Sequence, residues 1–301
     1  MLFSACISRA AALDCRTMYS PVVTKDPTAV ELEVQAACRT MFPEADPQLV
    51  PRAFGWAIEC FSGKYQDYQA VDTRYHDFEH TLQGTLCLAR LLRGRQAAGA
   101  QPPFSERMFQ LALLAILLHD TGYLKKRGDK EGTGAKYTAT HVNRSAKFAA
   151  RLLHEKDFPS AEIKAVQNMI SCTGVNAVLS AIPFQSDMEK IAGFALGTAD
   201  LLGQMAAEDY VDKLPILYAE FAEAASYSKD RTQFVTMFSS ELDLMQKTPA
   251  FWERVVRVML DRDFGGLHRF LNDPYPAGPN WYLERIEANL ERLRRRLTPV
   301  A

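Results

Sequence analysis

Charge of one sign is missing from this chain. Its 35 Lys+Arg face 36 Asp+Glu over 301 residues, a formal net charge of −1. A general nucleic-acid or membrane-surface binder carries excess Lys and Arg, so neither partner is expected. Long hydrophobic runs are missing too. The longest, Leu111 to Leu118, falls far short of the roughly 20 residues that cross a bilayer, so no transmembrane segment is expected. Cys6, Cys15, Cys38, Cys60, Cys87 and Cys172 are scattered without a CxxC pair, and a chain this long needs no disulfide staples, so they read as reduced cysteines. The N-terminal stretch MLFSACISRAAALDC has no basic leader region and is interrupted by Arg9, which argues against a secretory signal and for a cytoplasmic protein. Histidine is scarce, at six residues.

What is present is apolar and helical in period. With 48% hydrophobic and 24% charged residues the chain belongs to the folded class rather than the disordered one. Stretches of alternating β-branched residues are nearly absent, and 3.6-residue periodicity dominates, which predicts an all-α fold. Thr28 and Glu31 have the spacing of a capping box, opening a helix to about Met41. Further helices are expected at Pro51–Tyr65, Phe78–Arg95, from a Ser105 cap to about Asp120, Thr138–Glu155, Ser160–Ser171, Met188–Met205, Glu208–Ser226, Arg231–Met245, Pro249–Asp261 and Trp281–Leu297. The run Leu111–Leu118 is apolar on every face and should be central, delivering His119 and Asp120 at its end with Gly122 terminating the helix. Residues 66–228 read as the core, with 1–65 and 229–301 as N- and C-terminal helical extensions packed on it.

Three separated segments hold chemistry: Tyr75-His-Asp-Phe-Glu-His80, His119-Asp120 within LLHDTGY, and Asp200 within GTADLLGQM. If the first is helical, His76 and His80, four apart, face one way. A His-Asp pair ending a buried helix and an Asp inside an apolar run would be costly unpaired, and a metal ion would account for all of them. Two imidazoles and two carboxylates make a mixed N/O donor set that accepts Mn, Mg, Fe, Zn or Ni.

This set resembles the HD superfamily of metal-dependent phosphohydrolases, whose signature H…HD…D is met here by His80, His119-Asp120 and Asp200, over roughly residues 70–225. YHDFEH also resembles the YHNxxH motif of the cyclic nucleotide phosphodiesterases in that superfamily. The resemblance implies a phosphodiesterase-like helical bundle with additional N- and C-terminal helices. It implies His80, His119, Asp120 and Asp200 as metal ligands, Asp120 also as a bridge to a second ion, and His76 as general acid toward the departing oxygen. The expected reaction is hydrolysis of a cyclic nucleotide or nucleotide-like phosphodiester by a water that the metal has made acidic. The phosphodiesterase pattern HDxxH ends here in Tyr123, and Met169-Ile-Ser-Cys-Thr-Gly174 stands where relatives carry a His-His pair, so one metal site is better supplied than a second.

Around this centre, His141, Gln204, Tyr123, Lys125 and Lys136 are candidate substrate contacts. His141 has even standing as ligand or surface histidine, and Gln204 as phosphate contact or as a residue orienting a ligand. Seven basic residues between Thr121 and Lys147 face two acidic ones, a local +5 that reads as a flexible basic lid over a phosphate or as an ordinary solvated loop. Expected partners are a small phosphorylated substrate and, at most, a second copy in a homodimer. A nucleotidase-type phosphomonoesterase, an HD-type di-iron oxygenase and a non-catalytic nucleotide sensor are the alternatives.

Overall fold

A chain without alternating β-branched runs satisfies its backbone through helices. The computed structural model, which describes residues 22–174, 177–228 and 237–298, is all-α. Its helices are α1 (Pro27–Met41), α2 (Leu49–Phe61), α3 (Phe78–Ala97), α4 (Glu106–Leu118), α5 (His141–Glu155), α6 (Ser160–Ile170), α7 (Asp187–Met205), α8 (Tyr210–Tyr227), α9 (Glu241–Phe251) and α10 (Trp281–Leu297). Among the described residues β pairing is limited to three isolated bridges. No described helix is long and apolar enough to cross a membrane.

Helix starts follow side-chain capping. Ser105, Ser186, Ser240 and Asn280 each accept a backbone N–H three residues on, satisfying one of the orphan donors of α4, α7, α9 and α10. For α1 the cap is Asp26, with Pro27 in the first turn, rather than the Thr28/Glu31 box: the Asp26 carboxylate accepts from Thr28 N at 2.9 Å, and Pro27 has no N–H to lose. The helices expected at Arg231–Met245 and Pro249–Asp261 resolve differently. Residues 231–236 lie outside the described set, and Pro249 sits inside α9 rather than opening a helix. The same rod runs on through π-helical turns at Trp252–Val256 and Met259–Asp263, the first just after Pro249.

Helix α4 is central, as its composition predicts: Phe109 and Leu111 through Leu118 are all buried, and it touches α2, α3, α5, α6 and α7. Burying one such Leu or Ile is worth about 1.5–3 kcal/mol, so this run anchors the core. The α3–α7 crossing is close. A Cβ at Gly203 would lie 2.7 Å from the Gly84 backbone nitrogen, so glycine here lets two backbones touch. Helices α1 and α2 pack on α3 and α4, while α10 packs on α7, α8 and α9. Cys38, Cys60, Cys87 and Cys172 are buried and free; Cys6, Cys15 and the whole N-terminal leader reading lie outside the described residues.

Candidate metal centre and its cavity

The crossing of α3 over α7 beside the end of α4 assembles the site. Asp77 caps α3 by accepting from His80 N at 2.9 Å, so His80 lies in the first turn. His119 follows the last residue of α4 and donates from Nδ1 to Ile116 O at 2.7 Å, while Thr121 Oγ1 donates to Leu118 O at 2.7 Å. These side chains take up carbonyls that the helix end leaves unpaired, and they fix His119 with Nε2 turned to the site. Asp200 comes from the buried middle of α7.

The four donors form a ring. His80 Nε2 is 3.3 Å from both Asp120 Oδ2 and Asp200 Oδ1, and His119 Nε2 is 3.4 Å from the same two oxygens. A ring of that size puts a central ion at roughly 2.0–2.4 Å from each donor, the range of metal bonds to nitrogen and oxygen. Two of these atoms, His119 Nε2 and Asp120 Oδ2, are buried without a hydrogen-bond partner, a costly state that a metal ion relieves. His80, His119 and Asp120 are thus a buried group able to hold a metal ion. The field is strongly negative. Burial works against charge on His119, but Asp120 and Asp200 outweigh it and lift its pKa to about 9. Burial likewise opposes ionisation of both aspartates, yet the imidazoles hold them below the usual carboxylate range.

His76 reaches the site from the loop before α3, so the helical register expected to align it with His80 does not apply. Asp77 ends the loop by capping, and tertiary contacts aim the ring instead. Thr73 Oγ1 donates to His76 O at 2.6 Å, and His76 Nδ1 lies 2.6 Å from Glu220 Oε2. Glu220 Oε1 also accepts from the backbone N–H groups of Arg74 and Tyr75, both at 2.7 Å. Burial disfavours the imidazolium, but the Glu220 hydrogen bond and charge raise the His76 pKa overall. Glu220 is the site residue that sequence reading missed. Its only local signal is a carboxylate among the apolar residues of α8, and its partner is 144 positions away.

Tyr123 is stacked between two imidazoles, with ring centroids 4.6 Å from His76 and 4.7 Å from His141. His141 opens α5, gives Nδ1–H to Thr138 O at 2.6 Å, and brings Nε2 to 4.0 Å from Asp120 Oδ1. Gly122 does not end α4 through a left-handed turn. It is a contact point, where a Cβ would fall 2.1 Å from His141 O, and its N–H donates to Ser145 Oγ at 2.8 Å. Gln204 accepts from Tyr75 OH at 2.9 Å and donates to Asp200 O at 3.1 Å, which favours the orienting reading.

The basic segment lends Tyr123, Thr138 and His141 to the cavity wall, but none of its lysines or arginines. Lys125 is buried against Asp72 Oδ2 (3.1 Å) and the Gly132 carbonyl, and Lys136 pairs with Asp129 and donates to Glu131 O at 2.7 Å. Arg144 donates to Gly122 O and Leu124 O across the Tyr137 ring, so these cations hold the loop together instead of facing the cavity. Carboxylates in the same stretch and in residues 67–72 offer them shorter partners than the cavity does. Beyond the donor ring a cavity of about 140 Å³ opens, bounded by His76, Asp120, Tyr123, His141 and Asp200 at one end and by apolar side chains of α7, α8 and α9 at the other.

Comparison with known proteins adds one relationship. A family model described as Npun_R2479-like matches residues 127–269, a span that holds His141, Asp200, Gln204 and Glu220 and begins after the His119-Asp120 pair. No curated protein matches the chain.

Proposed function

We propose that the protein is a metal-dependent phosphohydrolase of the HD type that hydrolyses a phosphodiester of a nucleotide or nucleotide-like alcohol. His80, His119, Asp120 and Asp200 would hold the divalent ion, and Asp120, whose Oδ1 lies 4.0 Å from His141 Nε2, would be the carboxylate to serve a second one. Bound there, such an ion supplies water acidic enough to attack near neutral pH and neutralises charge on the phosphoryl oxygens.

The observation that carries the reading is the His76–Glu220 pair beside the donor ring. With Nδ1–H given to Glu220, the ring keeps Nε2 for the cavity it lines, and the carboxylate favours the protonated form. His76 then passes its Nε2 proton to the ester oxygen as the P–O bond breaks. The atoms of one water end up divided between a phosphomonoester and an alcohol. Glu220 holds the ring angle throughout through its own anchorage to two backbone N–H groups. Gln204 links Tyr75 on the His76 loop to Asp200, donating to its backbone carbonyl and, at 3.5 Å, to its Oδ1.

Metal-stripped protein reloaded with Mn, Mg, Fe, Zn or Ni is to be screened against cyclic mono- and dinucleotides, nucleotides and simple phosphodiesters. Metal-dependent diester cleavage that His80→Ala or Asp120→Ala abolishes is the expected result. Hydrolysis that proceeds equally in metal-free protein, or no cleavage of any phosphoester with any ion, overturns the reading.

A further inference from the structure

The cavity beside the donor ring has a second end that the hydrolase reading does not use. Its wall is built by Leu214, Leu217, Phe221, Phe238, Leu244 and Phe251, drawn from α8, α9 and the segment before α9. Phe221 and Phe238 are stacked at 6.0 Å with an interplanar angle of 11°, presenting flat aromatic surface. Two polar groups of the lining are spoken for: Thr248 Oγ1 donates to Leu244 O at 2.9 Å within its own helix, and Gln204 is held between Tyr75 and Asp200. Among the described residues lining the cavity there is no Lys or Arg, because Lys125, Lys136 and Arg144 are committed to the loop.

From this we propose that the substrate is a singly charged phosphodiester bearing an aryl or short alkyl group, and that this group fills the apolar end of the cavity. The proposal rests on the metal-dependent hydrolase reading and puts a smaller ester group in place of the nucleotide. Size sets the first limit: the whole cavity, donor-ring end included, is about 140 Å³, the class that holds one benzene-sized group, so beside a phosphoryl group it leaves room for one small substituent. Charge sets the second. A polyphosphate chain entering this end would lose its water against Leu and Phe side chains and gain no ammonium or guanidinium in exchange. One diester charge is met at the other end, by the ion and by His76.

The test uses two inert monoanions, methyl phenylphosphonate and methyl methylphosphonate, titrated calorimetrically into the metal-loaded full chain. The phenyl ligand is expected to bind at least about tenfold more tightly, the low end of what a buried apolar group is worth in such a pocket. Leu217→Asn, at a half-buried position that tolerates an amide, should shrink that preference to within about threefold. In turnover, p-nitrophenyl phenyl phosphate should exceed p-nitrophenyl phosphate and adenosine triphosphate at least about tenfold in kcat/KM. Equal affinity for the two phosphonates, or a preference unmoved by Leu217→Asn, overturns the proposal. Cleavage that favours the triphosphate also overturns it and leaves the hydrolase reading standing. If no ester is cleaved with any ion, the hydrolase reading falls and the phosphonate pair still decides what the apolar end accepts.

Discussion

His76 is aimed by partners distant in sequence. The Glu220 carboxylate spends one oxygen on the imidazole and the other on two backbone N–H groups of the loop that carries it, so ring and loop are fixed together. Replacing His76 by Ala should leave metal content, measured by atomic emission, unchanged and lower turnover by about 10²–10⁴-fold, the usual worth of a positioned proton donor. Full activity in that variant would remove His76 as the acid. Gly122→Ala belongs to the same scale. The added methyl meets the His141 carbonyl at 2.1 Å, and a loss of roughly 1–3 kcal/mol in denaturant unfolding is expected from such overpacking. His119, Asp120 and Asp200 stood out in the sequence because each is a costly polar group in an apolar or helix-end setting, and His76 and His80 through their spacing and the motif they resemble. Glu220 did not, since a glutamate on an amphipathic helix looks like surface until its partner is known.

Helices set the spacing between those residues, and glycine sets how close the helices come. At the α3–α7 crossing the distance from Gly203 to the Gly84 backbone is what lets His80 and Asp200 approach to 3.3 Å. Gly203→Ala should therefore cost both stability, by roughly 1–3 kcal/mol, and metal affinity, read by competition with a chromogenic chelator; an unchanged affinity would separate the crossing from the site. The short 3-10 turn Leu267–Leu271 supplies a pH dependence of its own. His268 is buried there, and burial holds its pKa below the ordinary 6.5 although Asp261, 3.8 Å away, works in the opposite direction. A base with a depressed native pKa binds fewer protons folded than unfolded. Its stability contribution is full above about 6.5 and is lost as the pH falls through the lower folded value. Denaturant midpoints between pH 8 and 5 should fall more steeply for the native chain than for His268→Asn.

Over the whole molecule, the near-zero charge of −1 conceals opposite local choices. Lys125, Lys126 and Lys136 of the basic segment pair with Asp72, Asp67 and Asp129, while the buried ring with its two aspartates could hold a cation at the centre. Because that ring joins α3, the end of α4 and α7, an ion bound there couples three elements of the core. An ion that binds the folded chain alone and is present at a hundredfold excess over its Kd should add about 2.7 kcal/mol, seen as a rise of several degrees in Tm that chelation reverses. Asp120→Asn should lose most of that response. A Tm indifferent to ions and chelator would argue against a resident metal.

Composition and periodicity by themselves determined the all-α class and the central place of Leu111–Leu118, and they marked His119, Asp120 and Asp200 as polar groups in apolar surroundings, because burial and helical period are written locally. The direction of the lysines, the orientation of His76 and the character of the cavity were decided by tertiary structure. Lys125 and Lys136 found carboxylates nearer than any substrate, and α8 and α9 brought leucines and phenylalanines from across the chain to one wall. Such choices depend on which partner lies closest in space, a quantity that spacing along the chain does not contain.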